Sequence, residues 1–446
     1  MTTMIPVAIV GGGLSGLALA LGLQQRGIDC RAFERDASLE SRPQGYALTL
    51  QQGAVALRSL GVRVDGKSPT SNLSLSSDGS VLGEFARPTT TTTTTRGGQN
   101  GRRTKRRPAN IVAPRQRVRR ALAQELQKNT ILWNERFLGF DVEDSDVEDS
   151  SVALRFASGL TVRARVVVAA DGVFSTVRSF LGGPEPSYVG FLVVLGVCAA
   201  TAVSDTRRTS TWQALDGHAR IYSMPFDGDS DISTEDTVSS SPEKEARVMW
   251  QLSWPVADLR DARALAAGGK NNKNDHKVLL LRSCALKVAD WHCDDARSVI
   301  AATSEKDVVA YALHSAEKVT PRLKAPLAKR VVLLGDAAGA MTPFKGQGAN
   351  QALVSALELA RSISRAFRGT RDEALQTELD NFAEDCIHRV QPKLDLSREN
   401  AKLLHSPAAL VVANVSRADA ARRHNTTTTV SSSRPIESSE DIISNS

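Results

Sequence analysis

The sequence predicts an α/β fold in which a discontinuous parallel-sheet domain is interrupted by an antiparallel sheet and closed by C-terminal helices. Three observations predict it. An apolar, β-branched run, Val7-Ala-Ile-Val10, ends in Gly11-x-Gly13-x-x-Gly16 and passes straight into a helical pattern reaching Leu23. Two later apolar strands, Val166–Ala170 and Arg330–Leu334, run into Asp171-Gly172 and Gly335-Asp336. Between them, from 187 to 327, short alternating strands replace the strand–helix rhythm.

The N-terminal strand–turn–helix order is the one a dinucleotide pyrophosphate requires, so this domain reads as Rossmann-type. Gly11 permits the tight turn, Gly13 lets backbone amides approach the phosphates, and Gly16 lets helix and strand pack closely. Leu14 and Ser15 open the helix, whose N-terminal amides and dipole favour an anion. After the helix, Cys30-Arg-Ala-Phe-Glu34 reads as the second strand. Glu34 lies at the spacing of an acid that grips a ribose 2′-OH, with Arg35 beside it. A carboxylate there disfavours a 2′-phosphate, which leaves an adenosine with a free ribose, as in FAD or NAD.

At 446 residues the chain exceeds one ordinary core, so two domains with appendages are expected. The five cysteines (Cys30, Cys198, Cys284, Cys293, Cys386) are scattered without CxxC spacing, so neither a disulfide framework nor a metal site is expected. A reducing, cytoplasmic location fits that usage. The apolar N-terminal run lacks a basic flank and is broken by glycines, and Pro407–Val415 is too short to span a bilayer, so neither targeting nor membrane insertion is expected.

Taken in order, residues 1–87 form the first segment of the dinucleotide-binding domain. Within it Ser41–Leu50 is a turn leading into a short strand, and Gln51–Leu60 a helix. The loop carrying Arg42, Gln44 and Gly45 lies beside a bound cofactor or serves as a plain connection. Residues 88–108 hold seven consecutive threonines and then a basic run. Arg87 to Arg107 contains seven basic residues and no acid, which accounts for the whole formal net charge of +7. That composition cannot bury apolar surface and reads as a disordered insertion, with no nucleic acid expected as its partner. Residues 109–186 are the domain's second segment. There Arg115 follows a buried strand and starts a helix with apolar positions at Val118, Leu122 and Leu126, an odd place for a cation unless it faces an anion. Residues 141–150 read as an acidic hairpin or loop. Val166–Ala170 is too uniformly apolar for a half-exposed strand and belongs inside the parallel sheet, delivering Asp171 to its ligand-binding edge. Residues 187–327 are the substrate-binding antiparallel sheet, with a disordered insertion at 227–245. The third segment, 328–405, brings the Gly335-Asp336 turn, a glycine-rich stretch to Asn350, and two or three helices; 406–446 is mostly a disordered tail.

Together the N-terminal turn with Glu34, the Asp171-Gly172 segment ending at Arg178, and the Gly335-Asp336 segment running to Asn350 resemble the single-component FAD-dependent aromatic monooxygenases. That is the group of para-hydroxybenzoate hydroxylase, salicylate hydroxylase-like enzymes and the tetracycline-modifying flavoenzymes. The resemblance spans residues 5 to 405, less the insertions. It implies that Gly11, Gly13 and Gly16 hold the ADP pyrophosphate of FAD, Glu34 the adenosine ribose, and Arg115 the flavin's phosphate or ribityl region. It implies a backbone contact at Ala47, a hydrogen bond accepted by Asp336 from the ribityl chain, a cofactor contact at Pro343, and amides from Gly346, Gln347, Gly348, Ala349 and Asn350 on the isoalloxazine. Asp171 and Gly172 fall in the motif associated with both FAD and NAD(P)H, and no second Gly-x-Gly-x-x-Gly is present, so the nicotinamide is a visiting co-substrate. The implied reaction uses NAD(P)H and O2 to insert one oxygen, through a flavin C4a-hydroperoxide, into an aromatic or other electron-rich small molecule. The alternatives are the same fold doing epoxidation, halogenation or oxidase/reductase chemistry, and a non-enzymatic FAD-binding interaction protein.

One departure stands out: the family often has His after Gly-Asp-Ala-Ala, and here it is Gly339. Candidate substrate residues are Arg220, Tyr222 and Met224, alternating on one strand, with Gln251, Ser253 or Trp250 on its neighbour. His218, His314 and His405 are expected to be incidental, and no catalytic base is assigned. The oligomeric state and the choice between NADH and NADPH stay open.

Overall fold

A computed structural model describes residues 3–41, 46–84, 110–140, 151–226, 246–267, 273–369 and 372–411. The insertions at 88–108 and 227–245, the acidic 141–150 stretch, the Arg42–Gly45 loop and the tail beyond 411 lie outside these residues.

The chain opens with β1 (Thr3–Val10), α1 (Leu14–Gln24), β2 (Cys30–Phe33), β3 (Ala47–Leu50), α2 (Gln52–Ser59), β4 (Asn72–Ser76) and β5 (Val81–Glu84). It continues with β6 (Ile111–Pro114), α3 (Arg115–Gln124), β7 (Ile131–Leu132), β8 (Phe137–Phe140), β9 (Val152–Phe156), β10 (Thr161–Ala169) and α4 (Thr176–Phe180). The middle of the chain is β11 (Ser187–Ala199), α5 (Asp205–Arg208), β12 (Thr211–Leu215), β13 (Arg220–Phe226), β14 (Arg247–Pro255), α6 (Leu259–Ala267), α7 (Lys273–Lys287), α8 (Asp294–Ala301) and β15 (Val308–Ser315). It closes with β16 (Val331–Leu333), α9 (Asp336–Gly339), α10 (Gly348–Arg368), α11 (Asp372–Leu404) and α12 (Ala408–Val411).

The first sheet runs β7-β2-β1-β10-β9-β8, with β16 also on β10. β1 pairs in parallel with β2 and β10, and β10 in parallel with β16. The all-apolar stretch of β10 is therefore buried inside a parallel array, as its composition requires. One face packs under α1 and α10, where Leu17, Leu19, Leu353 and Ile363 are closed to solvent. The other face carries Phe33, Phe140 and Phe156, with Phe33 and Phe156 stacked 4.4 Å apart.

The second sheet runs β15-β11-β14-β13-β12-β4-β5, antiparallel except where β4 lies parallel to β12. Two features differ from the sequence expectation. Residues 72–84, which lie in the stretch read as the first segment of the dinucleotide-binding domain, add β4 and β5 to this sheet. Helices α7 and α8 cover its outer face, where Trp212, Trp250, Leu252, Leu280 and Val299 are buried. Polar spacing had hidden those helices among the strands. Trp250 belongs to that outer core and not with the candidate substrate residues: it lies opposite Ser223, and its indole N–H donates to Thr303 Oγ1 at 2.8 Å. A Cβ on Gly196 would sit 2.3 Å from its ring. Trp250→Ala empties that space, and urea denaturation is expected to show a loss of about 3–5 kcal/mol.

The inner face of the second sheet turns toward the first domain. There Val197, Tyr222, Met224, Phe226 and Met249 pack with Ala47 and Val112 of the small β3–β6 sheet. Phe191, Val193, Leu195 and Leu313 pack with Phe344 and Ala401. Among the described residues no helix is long and apolar enough to cross a membrane.

Candidate functional site

Parallel pairing brings the three sequence motifs to one sheet edge. Ala170 N–H donates to Val10 O at 2.7 Å, and Leu334 N–H to Ala169 O at 2.8 Å, so Gly11, Asp171 and Gly335-Asp336 leave adjacent strands side by side. A Cβ on Gly11, where φ is +110°, would lie 2.4 Å from Ala170 O, and one on Gly16 would lie 2.0 Å from Gly11 O. Both glycines are therefore demanded by the fold itself. Gly13 is different. A Cβ there meets nothing nearer than Arg115 Nη2 at 3.9 Å, so the space above it is a cradle. Helix α1 begins at Leu14 with no capping side chain and no acid in its first turn, leaving its amides and dipole free for an anion.

Glu34, at the end of β2, is buried. Its Oε2 accepts from Gly12 N–H at 2.6 Å and its Oε1 from Asp36 N–H at 3.0 Å. Arg35 points outward and is exposed. Arg115, first residue of α3, reaches across to Gly13 and lies over the Tyr46 ring, 5.6 Å from its centroid. Asp336 is enclosed by protein yet accessible; burial raises its carboxyl group and Arg115 opposes that rise. Such a group belongs on the wall of a cleft. Ser15 links the first and third motifs, its Oγ lying 2.8 Å from where a Cβ on Gly335 would stand.

Asp171 is held by the Val177 N–H at 3.2 Å, while its buried Oδ1 has no hydrogen-bond partner in the structure. Burial raises this carboxyl too. Gly172, at φ +90°, shapes the turn. Arg178, which ends this motif, is a tie: it donates to Val173 O at 2.8 Å and to Ala337 O at 3.0 Å, locking the second motif to the third.

The third motif turns at Pro343 and at Gly346, φ +64°, into α10, which also begins without a capping side chain or acid. Asn350 uses its side chain internally. Its Oδ1 accepts from the Gln51 and Gly53 N–H groups, and its Nδ2 donates to Thr49 O and Gly346 O. Gln347 is similarly engaged with Gln51 and Gln351. Ala47 N–H meets Met249 Sδ at 3.1 Å, joining the β3–β6 pair to the second sheet. Gly339, where histidine was expected, faces Val319: a Cβ would press its Cγ2 at 3.1 Å, so this chain has closed that position.

Of the candidate substrate residues, Arg220, Tyr222, Met224 and Gln251 do share the inner sheet face, Tyr222 opposite Gln251 and Met224 opposite Met249. All four are nearly closed to solvent. Arg220 is fully buried, donating through Nε to Gln213 Oε1 at 2.9 Å, with its guanidinium over Tyr222 and Phe344. Two phenols that keep access to solvent are Tyr46, before β3, and Tyr311, on β15, which keeps 36 % of its surface exposed. Burial raises the Tyr311 phenol, and the charges of Tyr46 and Asp336 raise it further. Tyr311 lies opposite Val193, 118 residues away in sequence, so no local pattern marks it. Among the described residues no cluster of metal-ligating side chains occurs.

The uncapped α1, the cradle over Gly13, the unpartnered Asp171 Oδ1 and the second uncapped helix at Gly348 fit FAD, whose pyrophosphate and electron-rich ring edge would each suit a helix N-terminus. The comparisons agree. The family of FAD binding domains matches residues 4–262 and 297–397. An FAD-dependent monooxygenase of Trichoderma harzianum is 26% identical over 409 residues, covering 88% of this chain and 92% of its own. A 3-amino-4-hydroxybenzoate 2-monooxygenase of Streptomyces cremeus is 28% identical, with 83% and 82% covered. The solved 2,6-dihydroxypyridine-3-hydroxylase of Arthrobacter nicotinovorans superposes with a TM-score of 0.71 at 21% identity, covering 91% of this chain and 94% of that one. The chain belongs to the FAD binding domain family, and the relatives it matches are named FAD-dependent monooxygenases.

Proposed function

We propose that this enzyme uses NAD(P)H and O2 to insert one oxygen atom into a planar, electron-rich aromatic molecule. The observation that carries the reading is the face-to-face arrangement of an uncapped flavin-type cleft and an apolar, aromatic sheet face, with Tyr46 and Tyr311 at its accessible margin. Relatives are named for 3-amino-4-hydroxybenzoate and 2,6-dihydroxypyridine, and one similar structure holds FAD with uric acid. Flat rings bearing oxygen or nitrogen suit a slot between a flavin and a sheet.

FAD, when bound, supplies the hydride and oxygen chemistry. The chain binds, orients and excludes water. Gly13, Leu14 and Ser15 would hold the pyrophosphate, Glu34 and Arg35 the adenosine side, and Arg115 with Asp336 the ribityl region. The Gly346–Asn350 amides would hold the electron-rich edge of the flavin ring. Arg220 braces Tyr222 and Phe344 from behind. Tyr311, its phenol kept protonated by burial, donates a hydrogen bond to a ring oxygen of the substrate.

The test is NAD(P)H consumption by the yellow protein across phenols, quinolones and polyketides under 18O2. Labelled product is expected; NAD(P)H oxidation without label across the panel overturns monooxygenation. For a phenol that turns over, Tyr311→Phe is expected to raise KM by about 2–10-fold, the loss of one hydrogen bond, in steady-state assays.

A further inference from the structure

Arg119 carries an inference of its own. It lies one helical turn after Arg115 on α3, and it is buried beneath the glycine-rich turn. Its Nε donates to Gly12 O at 2.8 Å. Its Nη2 lies 3.6 Å from Glu34 Oε2 and 3.5 Å from Asp36 Oδ2, and its guanidinium stacks 5.5 Å from the Trp133 ring centroid. Two carboxylates meet here in a site almost closed to water, a juxtaposition that costs free energy unless a cation stands between them.

We infer that Arg119 is a positioning residue for the cofactor's adenosine half. It holds the Glu34 carboxylate against Gly12, with lone pairs left to accept from ribose hydroxyls, and so sets the preference for FAD over riboflavin 5′-phosphate. Arg115 serves the phosphates and Arg119 the ribose. Gly12 agrees with this arrangement: a Cβ there would stand 3.1 Å from Glu34 Oε2, so the carboxylate rests directly on the turn. The inference rests on the reading of Glu34 as the ribose ligand.

The test compares FAD with riboflavin 5′-phosphate, which shares the isoalloxazine and ribityl phosphate but has no adenosine. Apoprotein of the full chain, wild-type, Arg119→Met, Arg119→Lys and Glu34→Gln, is titrated with each by flavin fluorescence. Arg119→Met and Glu34→Gln are expected to weaken FAD by about 10–100-fold while riboflavin 5′-phosphate changes less than about twofold, and Arg119→Lys to recover part of the loss. The Arg119→Met/Asp36→Asn variant removes one carboxylate with the cation and keeps the comparison readable if Arg119→Met does not fold. Equal weakening of both flavins shows a general support of the turn and overturns the inference. Unchanged FAD affinity in folded Arg119 variants overturns it while leaving Glu34 in place. An unchanged ratio in Glu34→Gln removes the ribose reading, and the inference with it.

Discussion

Gly13→Val is expected to yield colourless protein that is still folded. The three glycines of the first turn do different work, and the structure separates them. At Gly13 φ is −80° and ψ −174°, an extended conformation open to any residue, and no protein atom other than the Arg115 side chain approaches its Cβ position. The apoprotein should therefore lose only about 1 kcal/mol, the ordinary difference between glycine and a β-branched residue at a helix N-cap. The valine methyl groups, however, would stand where a pyrophosphate held by the α1 amides would come. Gly16→Ala should behave in the opposite way: its Cβ would lie 2.0 Å from Gly11 O, a backbone atom that cannot swing aside. That variant is expected to lose about 3 kcal/mol or more of apoprotein stability, with flavin lost only as a consequence. Flavin absorbance and apoprotein urea midpoints on both variants check this. A yellow, fully loaded Gly13→Val protein would place the phosphates elsewhere.

Acid is expected to destabilise this protein through one buried histidine. His405 closes the end of α11 against the second sheet. Its Nδ1 lies 2.6 Å from Ala401 O and its Nε2 2.8 Å from Ser253 Oγ, with Phe191 and Phe344 rings around it. Burial, opposed by the Ala401 carbonyl and joined by the nearby Arg220 charge, lowers its pKa from 6.5 to about 4. The unfolded chain thus binds a proton that the folded chain refuses. This contribution is complete above pH 6.5, shrinks as pH falls, and is lost by about pH 4. It amounts to about 3 kcal/mol over that window. His405→Gln keeps polar groups for both neighbours and carries no titrating proton. Its stability loss between pH 7 and pH 4.5, measured by urea denaturation, is expected to be smaller than that of wild type; equal losses would show that His405 does not drive the acid response.

Much of the cofactor site was legible because it is local. Strand, glycine turn and helix start follow one another within ten residues, and the chemistry of glycine at Gly11 and Gly16 is dictated by backbone contacts inside that unit. Arg115 announced itself as a cation at a helix start, and the structure sets it beside Gly13 and Asp336. Arg119 carried a signal that could have been used, its i, i+4 spacing from Arg115 on one helix face. Arg178 read as part of a ligand motif, and proves to lock Val173 to Ala337.

The second domain was less legible. Arg220, Tyr222, Met224 and Gln251 share a face because strand alternation is a local rule, but their near-complete burial depends on what lies across from them. Trp250 was one residue out of phase with Gln251 and therefore on the other side of the sheet. Tyr311 and Tyr46 carried no pattern at all.

The sequence by itself determined that a dinucleotide turn, an acid after the second strand and two further acid-ended strands build a dinucleotide-binding parallel sheet, because each is a short-range arrangement of backbone and glycine. Only the tertiary structure decided that residues 72–84 complete the second sheet, that Arg220 is sealed behind Tyr222, and that Tyr46 and Tyr311 face the cleft. Those outcomes depend on strands far apart in the chain choosing their neighbours, and pairing of that kind is settled by the packing of whole faces.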